Sequence, residues 1–208
     1  MTVAAVIVAG SDMALADASG RPAVRRIVDV AWAGGALPIV VVADDPDGEL
    51  SRALGGSPAT RIAAPRGGDV AAYRAGIAAA RDAVAGTGAV LLWPMSMTWI
   101  DPETVTSLIE AHGRRPQQLL RPQHHEIDGW PLLLPLVSAS DLASVQDEAD
   151  IGNLLAGTPA TERLQLGDPG TIHGIDMAMD ALPAFEGPSE PVGGPPPEWG
   201  AAAADAPD

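Results

Sequence analysis

Short apolar runs alternate with segments of helical periodicity through the first half of the chain. Four runs are predicted strands: VAAVIVAG (3–10), LPIVVVADD (37–45), TRIAAP (60–65) and AVLLW (89–93). The first is a continuous apolar run, as expected of a strand that is covered on both faces. Each run is followed by a helical pattern or a turn signal. This alternation predicts an α/β fold with a mostly parallel sheet, right-handed crossovers and helices on both faces.

The helical segments carry their apolar residues at spacings of three and four. A short helix is predicted over 50–54, and Asp69 and Asp101 stand where helix N-caps are expected. Gly34-Gly35 and Gly113 are typical of helix ends. The predicted buried faces are Val24, Ile27, Val28, Ala31 and Trp32; Val70, Tyr73, Ile77, Ala80 and Val84; and Val105, Leu108, Ile109 and His112.

The second half of the chain has a different pattern. QQLLRP (117–122) and WPLLLPLV (130–137) are predicted strands separated by the polar turn QHHEIDG (123–129), which favours an antiparallel or mixed extension of the sheet. Residues 138–146 and 150–156 are predicted short helices. Two further strands are expected in TERLQLGD (161–168) and TIHGIDM (171–177).

The length and composition predict one folded domain followed by a tail. The chain has 208 residues, of which 47% are hydrophobic, and this supports a single core over residues 1–182. Residues 183–208 are rich in Pro, Gly and Ala and acidic, and we expect them to be disordered. Trp199 in this tail is either a docking anchor or, as we favour, an incidental aromatic residue.

The charge excludes several classes of partner. The net charge of −15 disfavours nucleic acid and anionic membrane surfaces, and no apolar segment is long enough to cross a bilayer, so a cytoplasmic protein is expected. Cysteine is absent, which removes thiolate nucleophiles and zinc–thiolate sites. All 12 basic residues are arginine, a fact that bears on any chemistry of phosphates.

Six segments in this order resemble the MobA/MocA-like nucleotidyltransferases of the molybdenum-cofactor type. They are VAAVIVAG (3–10), RGGDVAAYRAGIAAARDA (66–83), IDPETVTSLIEAH (100–112), RPQHHEIDGWPLLLP (121–135), DIGNLL (150–155) and DPGTIHGIDMAMDAL (168–182). The resemblance implies a three-layer Rossmann-like nucleotidyltransferase fold. It also implies attack by a phosphate or hydroxyl on the α-phosphorus of a CTP or GTP, with Mg²⁺ holding the phosphates.

The resemblance also assigns candidate site residues. Nucleotide binding falls to Ala9, Gly10, Ser11 and Arg74, and Asp176 matches one of the two metal-binding aspartates of the family. The family places its other aspartate after the fourth strand, where this chain has Ser96. The family loop Gly-Gly-x-Ser-x-Arg-Met-Gly-x-x-Lys is shortened here to GSDMALADASG (10–20), without the arginine and lysine.

Two hypotheses follow from these departures. In the first, the protein is a pseudoenzyme that binds nucleotide weakly, binds Mg²⁺ weakly if at all, and has an accessory role. In the second, it is an active Mg²⁺-dependent enzyme in which Asp176, Asp12 or Asp17, and an arginine such as Arg66 or Arg74 form a divergent site.

Other polar groups have simpler interpretations. His124 and His125 are interpreted as a solvated turn, because adjacent strand residues point to opposite faces and cannot chelate one ion. His173 is interpreted as a strand-edge residue, although it could join Asp176 on a metal. Ribose or cation binding and ordinary turn chemistry are equally compatible with Asp44, Asp45 and Asp47.

The apolar cluster around the fourth strand has two interpretations. Trp93, Met97 and Trp99 either pack in the core or form an interaction surface for a protein partner or a second copy of the chain. We favour the interaction surface slightly, because Met97 and Trp99 alternate with polar residues near a strand end.

Overall fold

The computed structural model describes residues 2–137 and 161–188. Within these ranges eight strands form one sheet: β1 (Thr2–Val8), β2 (Ile39–Val42), β3 (Ala59–Ile62), β4 (Thr87–Pro94), β5 (Leu119–His124), β6 (Ile127–Asp128), β7 (Leu132–Pro135) and β8 (Thr161–Gln165). The strand order is β3-β2-β1-β4-β7-β5-β6, with β8 paired to β5. The predicted α/β fold with a mostly parallel sheet is confirmed.

The antiparallel extension is also confirmed, and β7 and β6 are its antiparallel strands. β1 pairs in parallel with β2 and β4, and β2 pairs in parallel with β3. β7 is antiparallel to both β4 and β5, while β8 runs parallel to β5. The carboxyl ends of β1, β4, β5 and β8 therefore lie at the same edge of the sheet, where ligands bind in open α/β folds.

Helices cover both faces of the sheet. The helices are α1 (Ser11–Leu15), α2 (Ala23–Ala33), α3 (Glu49–Ala53), α4 (Asp69–Ala83) and α5 (Pro102–Arg114). Buried residues of α2, α3 and α5 form one hydrophobic cluster with Ala5 and Ile7 of β1, whereas those of α4 form a second cluster with Ala4 and Val6 on the opposite face. None of the helices in the described ranges is long and apolar enough to cross a bilayer.

Most of the helix residues that periodicity predicted to be buried are buried, although Val84 and Ile109 are only half-buried. Val24, Ile27, Val28 and Ala31 of α2 are fully buried, but Trp32 is 53% exposed. The prediction for Trp32 is wrong because the sheet contacts a narrower stripe of α2 than the apolar pattern suggests. The capping prediction at Asp101 is confirmed, since its carboxylate accepts a hydrogen bond from the Glu103 amide at 2.8 Å.

One predicted strand is wrong. Residues 171–177 do not pair with the sheet; a 3₁₀ turn (Pro169–Thr171) leads into a series of turns that pack against Trp99. Backbone carbonyls in this segment accept hydrogen bonds from a side chain in place of a neighbouring strand. The predicted helices over 138–146 and 150–156, and the tail beyond residue 188 with Trp199, lie outside the described residues.

Candidate functional site

The ends of β1 and β4 lie side by side at the carboxyl edge of the sheet. The Met95 amide donates to the Val8 carbonyl at 3.0 Å, and the Ala9 amide donates to the Val42 carbonyl at 3.2 Å. Gly10 is extended and exposed, and nothing lies within 4 Å of the position that a Cβ would take. The first loop therefore borders open space at Gly10, where the family resemblance predicts nucleotide binding.

Ser96 and Asp176 are 80 positions apart in the sequence, but the segments that contain them lie against each other. We call the place where Ser96 meets Gly174, Ile175 and Asp176 the corner. The Ser96 carbonyl accepts a hydrogen bond from the Ile175 amide at 2.8 Å. A Cβ on Gly174 would lie 2.8 Å from the same carbonyl and 3.0 Å from Oδ1 of Asp176, so glycine permits this close approach. The Asp176 side chain is exposed and Ser96 is half-buried.

A buried carboxylate, that of Asp168, stabilises the two segments that form the corner. Asp168 follows β8, is 2% exposed, and accepts hydrogen bonds from the Asp101 amide at 2.9 Å and the Gly170 amide at 2.8 Å. Burial raises the pKa of Asp168, and its hydrogen bonds, first that from Thr104, oppose the shift. No local pattern in the sequence indicated this role, because it depends on contacts of Asp168 with the start of α5.

Trp99 connects the loop between β4 and α5 to residues 168–182, which we call the closing segment. Its indole N–H lies 2.9 Å from the carbonyl of Gly174 and 2.9 Å from that of Met177. The Arg26 guanidinium lies over the same indole ring, 4.9 Å from the centroid, and burial, followed by the charge of Arg21, lowers the pKa of Arg26. Sequence reasoning did not identify Arg26, because nothing in the α2 pattern distinguishes it from Arg25.

The aspartates after β2 accept hydrogen bonds that stabilise the turn between β2 and α3. Asp45 accepts hydrogen bonds from the Leu50 amide at 2.9 Å and from the amide and hydroxyl of Ser51 at 2.9 and 2.6 Å. The Ser51 hydroxyl is the main cause of the lowered pKa of Asp45. Asp44 accepts from the Ala64 amide at 3.2 Å. Of the two alternatives for this segment, these contacts favour turn chemistry for Asp44 and Asp45.

Two adjacent histidines lie at the end of β5. His124 is buried and His125 exposed, with ring centroids 4.1 Å apart, so the solvated-turn interpretation is wrong for His124. Desolvation, followed by the charge of His125, lowers the pKa of His124, and Glu186 and His173 also act on it. Within residues 2–137 and 161–188, no group of three or more His, Asp or Glu side chains is arranged to hold a metal ion.

An open cavity of about 660 Å³ adjoins the corner. Asp17, Ser19, Trp99, Met179 and Asp180 are among the residues that line it. Asp17, one candidate of the divergent-site hypothesis, therefore lines the same cavity as Asp180. Asp12, the other acidic candidate, is exposed on α1.

A family model that describes the MobA-like NTP transferase domain matches residues 9–164. The chain belongs to this family. A comparison with curated proteins found no match.

Solved structures share the MobA-like fold at low sequence identity. Rv0371c from Mycobacterium tuberculosis H37Rv has a TM-score of 0.66 and 14% identity over 79% of this chain and 88% of that one. The manganese complex of Rv0371c gives a TM-score of 0.65 and 13% identity over 80% and 89% of the two chains. A CMP:2-keto-3-deoxy-manno-octonic acid synthetase in complex with CTP gives 0.61 and 11% over 85% and 94%.

The arginines nearest the first loop of this MobA-like domain are engaged elsewhere. Arg21 and Arg25 both pair with Asp29, at 3.1 and 2.9 Å, and Arg26 packs on Trp99. Arg66 is exposed before α4, and Arg74 is half-buried on α4, on the face of the sheet opposite α2 and α5. The assignment of Arg74 to nucleotide binding stays a prediction.

The predicted interaction surface is largely core in this MobA-like domain. Trp93 is fully buried with its indole N–H bonded to the Met97 carbonyl at 2.8 Å, and Trp99 is 8% exposed. The chain turns after β4, where the Met97 amide bonds to the Pro94 carbonyl at 3.0 Å, and this turn directs Met95 and Trp99 inward. The surface prediction is therefore wrong for Trp93 and Trp99, and Met97 is only half-buried.

Proposed function

We propose that this MobA-like domain has lost ordinary nucleotidyl transfer and acts as a binding or accessory protein that retains at most weak nucleotide binding at Ala9, Gly10 and Ser11. The observation that carries the proposal is the hydrogen bond of 2.8 Å between the Ile175 amide and the Ser96 carbonyl. It sets Ser96 beside the Asp176 segment. The resemblance predicts an aspartate at both positions, and this chain has one.

The donor set does not fit a tightly bound Mg²⁺. Magnesium in nucleotide-handling sites is held by carboxylates together with substrate phosphates. The resemblance implies two aspartates for this role, and the neutral hydroxyl of Ser96 supplies none of the negative charge of the second. Asp176 is exposed to water, which screens its charge, and Ser96 adds no charge. We therefore assign no chemical step to a metal ion in this chain.

The first loop supports the same proposal. In place of a longer loop with an arginine and a lysine, the chain forms the five-residue helix α1 directly after Gly10. The nearest arginines, Arg21 and Arg25, are paired with Asp29. Loss of one group that stabilises transition-state charge commonly costs about two to three powers of ten in rate, so the combined losses disfavour turnover.

Restoration of the missing carboxylate tests the proposal. Calorimetric titration of CTP and GTP into the wild-type chain, with and without Mg²⁺ or Mn²⁺, is expected to show no metal-dependent tight binding. In Ser96→Asp, a second carboxylate beside Asp176 is expected to strengthen metal-dependent nucleotide binding at least tenfold. Ser96→Asn is the matched neutral control and is expected to behave like the wild type.

The alternative of an active enzyme with a divergent site predicts a different result. Micromolar, metal-dependent nucleotide binding by the wild type, with release of pyrophosphate, would contradict the proposal and support the alternative. Absence of binding at millimolar nucleotide would exclude the alternative and the weak nucleotide binding, leaving an accessory role alone.

A further inference from the structure

The cavity beside Trp99 has the size of a small-molecule site. It lies between the turn that contains Asp17 and Ser19, the β4–α5 loop and the closing segment, and it measures about 660 Å³. Sites for small molecules generally fall between about 300 and 1,000 Å³. A single metal ion would occupy a small part of such a volume, so the size favours an organic ligand.

The lining combines an apolar wall with negative charge. Trp99, Met177 and Met179 form the apolar wall, and Asp17 and Asp180 contribute carboxylates. The described residues that line the cavity include no arginine or histidine to balance these charges. Charge complementarity therefore disfavours a triphosphate and favours a cation with an apolar body.

Several contacts hold the lining in position before a ligand arrives. The Trp99 indole N–H is bonded to the Gly174 and Met177 carbonyls, each at 2.9 Å, which fixes the ring relative to the methionine segment. The Asp17 carboxylate accepts from the Gly20 amide at 3.1 Å, and the Ser19 hydroxyl lies 3.5 Å from Sδ of Met179. A wall fixed in this way loses little conformational freedom when a ligand binds.

We propose that this cavity binds an organic cation, a primary ammonium group on an apolar body. The ammonium group lies near Asp17 and Asp180, and the apolar body packs against Trp99, Met177 and Met179. The Arg26 guanidinium over the Trp99 ring is an internal example of a cation on the same indole. The site differs from the nucleotide position in its residues and in its ligand charge, and it does not depend on the proposed function.

Three probes with the same aromatic body and different charges test the proposal. They are 2-phenylethylamine, 2-phenylethanol and 3-phenylpropionate, titrated into the full chain at pH 7 and followed by calorimetry. The amine is expected to bind saturably and at least tenfold more tightly than the alcohol or the carboxylate. Equal affinities for the three probes, or no saturable binding of the amine, would overturn the proposal.

Charge-neutral variants test the location of the site. Asp180 is exposed and Asp17→Asn keeps an acceptor oxygen for the Gly20 amide, so both Asp→Asn variants are expected to fold, which thermal melting checks. Each is expected to weaken amine binding at least fivefold and leave alcohol binding unchanged. Asp82→Asn, exposed on α4 across the sheet, is the matched control and is expected to have no effect. Unchanged amine affinity in both cavity variants would contradict the assignment.

Discussion

The Asp168 carboxylate accepts a hydrogen bond from the Thr104 hydroxyl at 2.6 Å and so joins the end of β8 to the first turn of α5. The same carboxylate accepts from the backbone amides of Asp101 and Gly170. One buried side chain thus holds the start of α5 and the start of the closing segment together. The position of Ile175 beside Ser96 depends on this connection.

Asp168→Ala is expected to destabilise the fold strongly. Removal of the carboxylate leaves the Thr104 hydroxyl and two backbone amides without their acceptor. We expect the free energy of unfolding to fall by about 3 kcal/mol in total. Asp168→Asn keeps one acceptor oxygen and is expected to lose less. Urea denaturation of the three proteins measures the difference, and equal stabilities would show that water replaces the carboxylate without cost.

Gly170→Ala and Gly10→Ala form a matched pair. A Cβ on Gly170 would overlap the backbone of Trp99 and Ile100, whereas a Cβ on Gly10 would meet nothing within 4 Å. We expect Gly170→Ala to lower the free energy of unfolding by about 2 kcal/mol and Gly10→Ala to leave it within about 0.5 kcal/mol. Thermal denaturation provides the measurement. A similar loss in both variants would contradict the close packing of Gly170 on Trp99.

Removal of the Asp101 cap is expected to lower the free energy of unfolding less than Asp168→Ala does. Its carboxylate accepts from the Glu103 amide at 2.8 Å, and loss of an N-cap acceptor typically costs about 1 kcal/mol. Asp101→Ala is therefore expected to lower the midpoint of urea unfolding, and Asp101→Ser to restore most of it. Failure of serine to restore stability would indicate that Asp101 acts through a contact other than the cap.

His112 is expected to make the fold sensitive to acid. It is buried on α5, neither ring nitrogen has a hydrogen-bond partner among the described residues, and burial lowers its pKa from the ordinary 6.5. Between the lowered native pKa and 6.5 the unfolded chain binds more protons, so stability falls as the pH drops through this window and is unaffected by His112 above it.

His112→Leu tests both parts of this prediction. It removes two unsatisfied buried nitrogens and is expected to raise the free energy of unfolding at pH 7.5 by about 1 kcal/mol. It is also expected to reduce the loss of stability between pH 7.5 and pH 5.5, and the loss that remains includes the contribution of buried His124, whose pKa is lowered as well. An unchanged pH dependence in His112→Leu melts would refute the role of His112.

Periodicity predicted the fold because burial of apolar side chains determines it. The runs that became β1, β2 and β4 are buried on both faces, and the stripes of α2, α4 and α5 pack against them. The family resemblance assigned Ser96 and Asp176 to one site, which stays a prediction; in the structure the Ile175 amide bonds to the Ser96 carbonyl.

The sequence-based predictions that are wrong fall where backbone carbonyls bond to side chains from distant parts of the chain. Residues 171–177 have an alternating pattern typical of a strand, yet the carbonyls of Gly174 and Met177 bond to the Trp99 indole. The indole comes from a loop 75 positions earlier, so no local pattern could indicate the contact. Trp93 was expected at the surface for a similar reason, since the turn that buries its neighbours was not evident.

The sequence by itself determined most of the strands and helices and the absence of lysine and cysteine, because these depend on local pattern and residue identity. That Ser96 replaces a carboxylate of the family is a prediction from the family resemblance. The tertiary structure alone decided that Asp168 supports the corner, that Arg26 packs on Trp99, and that Asp17 and Asp180 share one cavity. These contacts join residues far apart in the chain, and their geometry exists only once the sheet has fixed the positions of the loops.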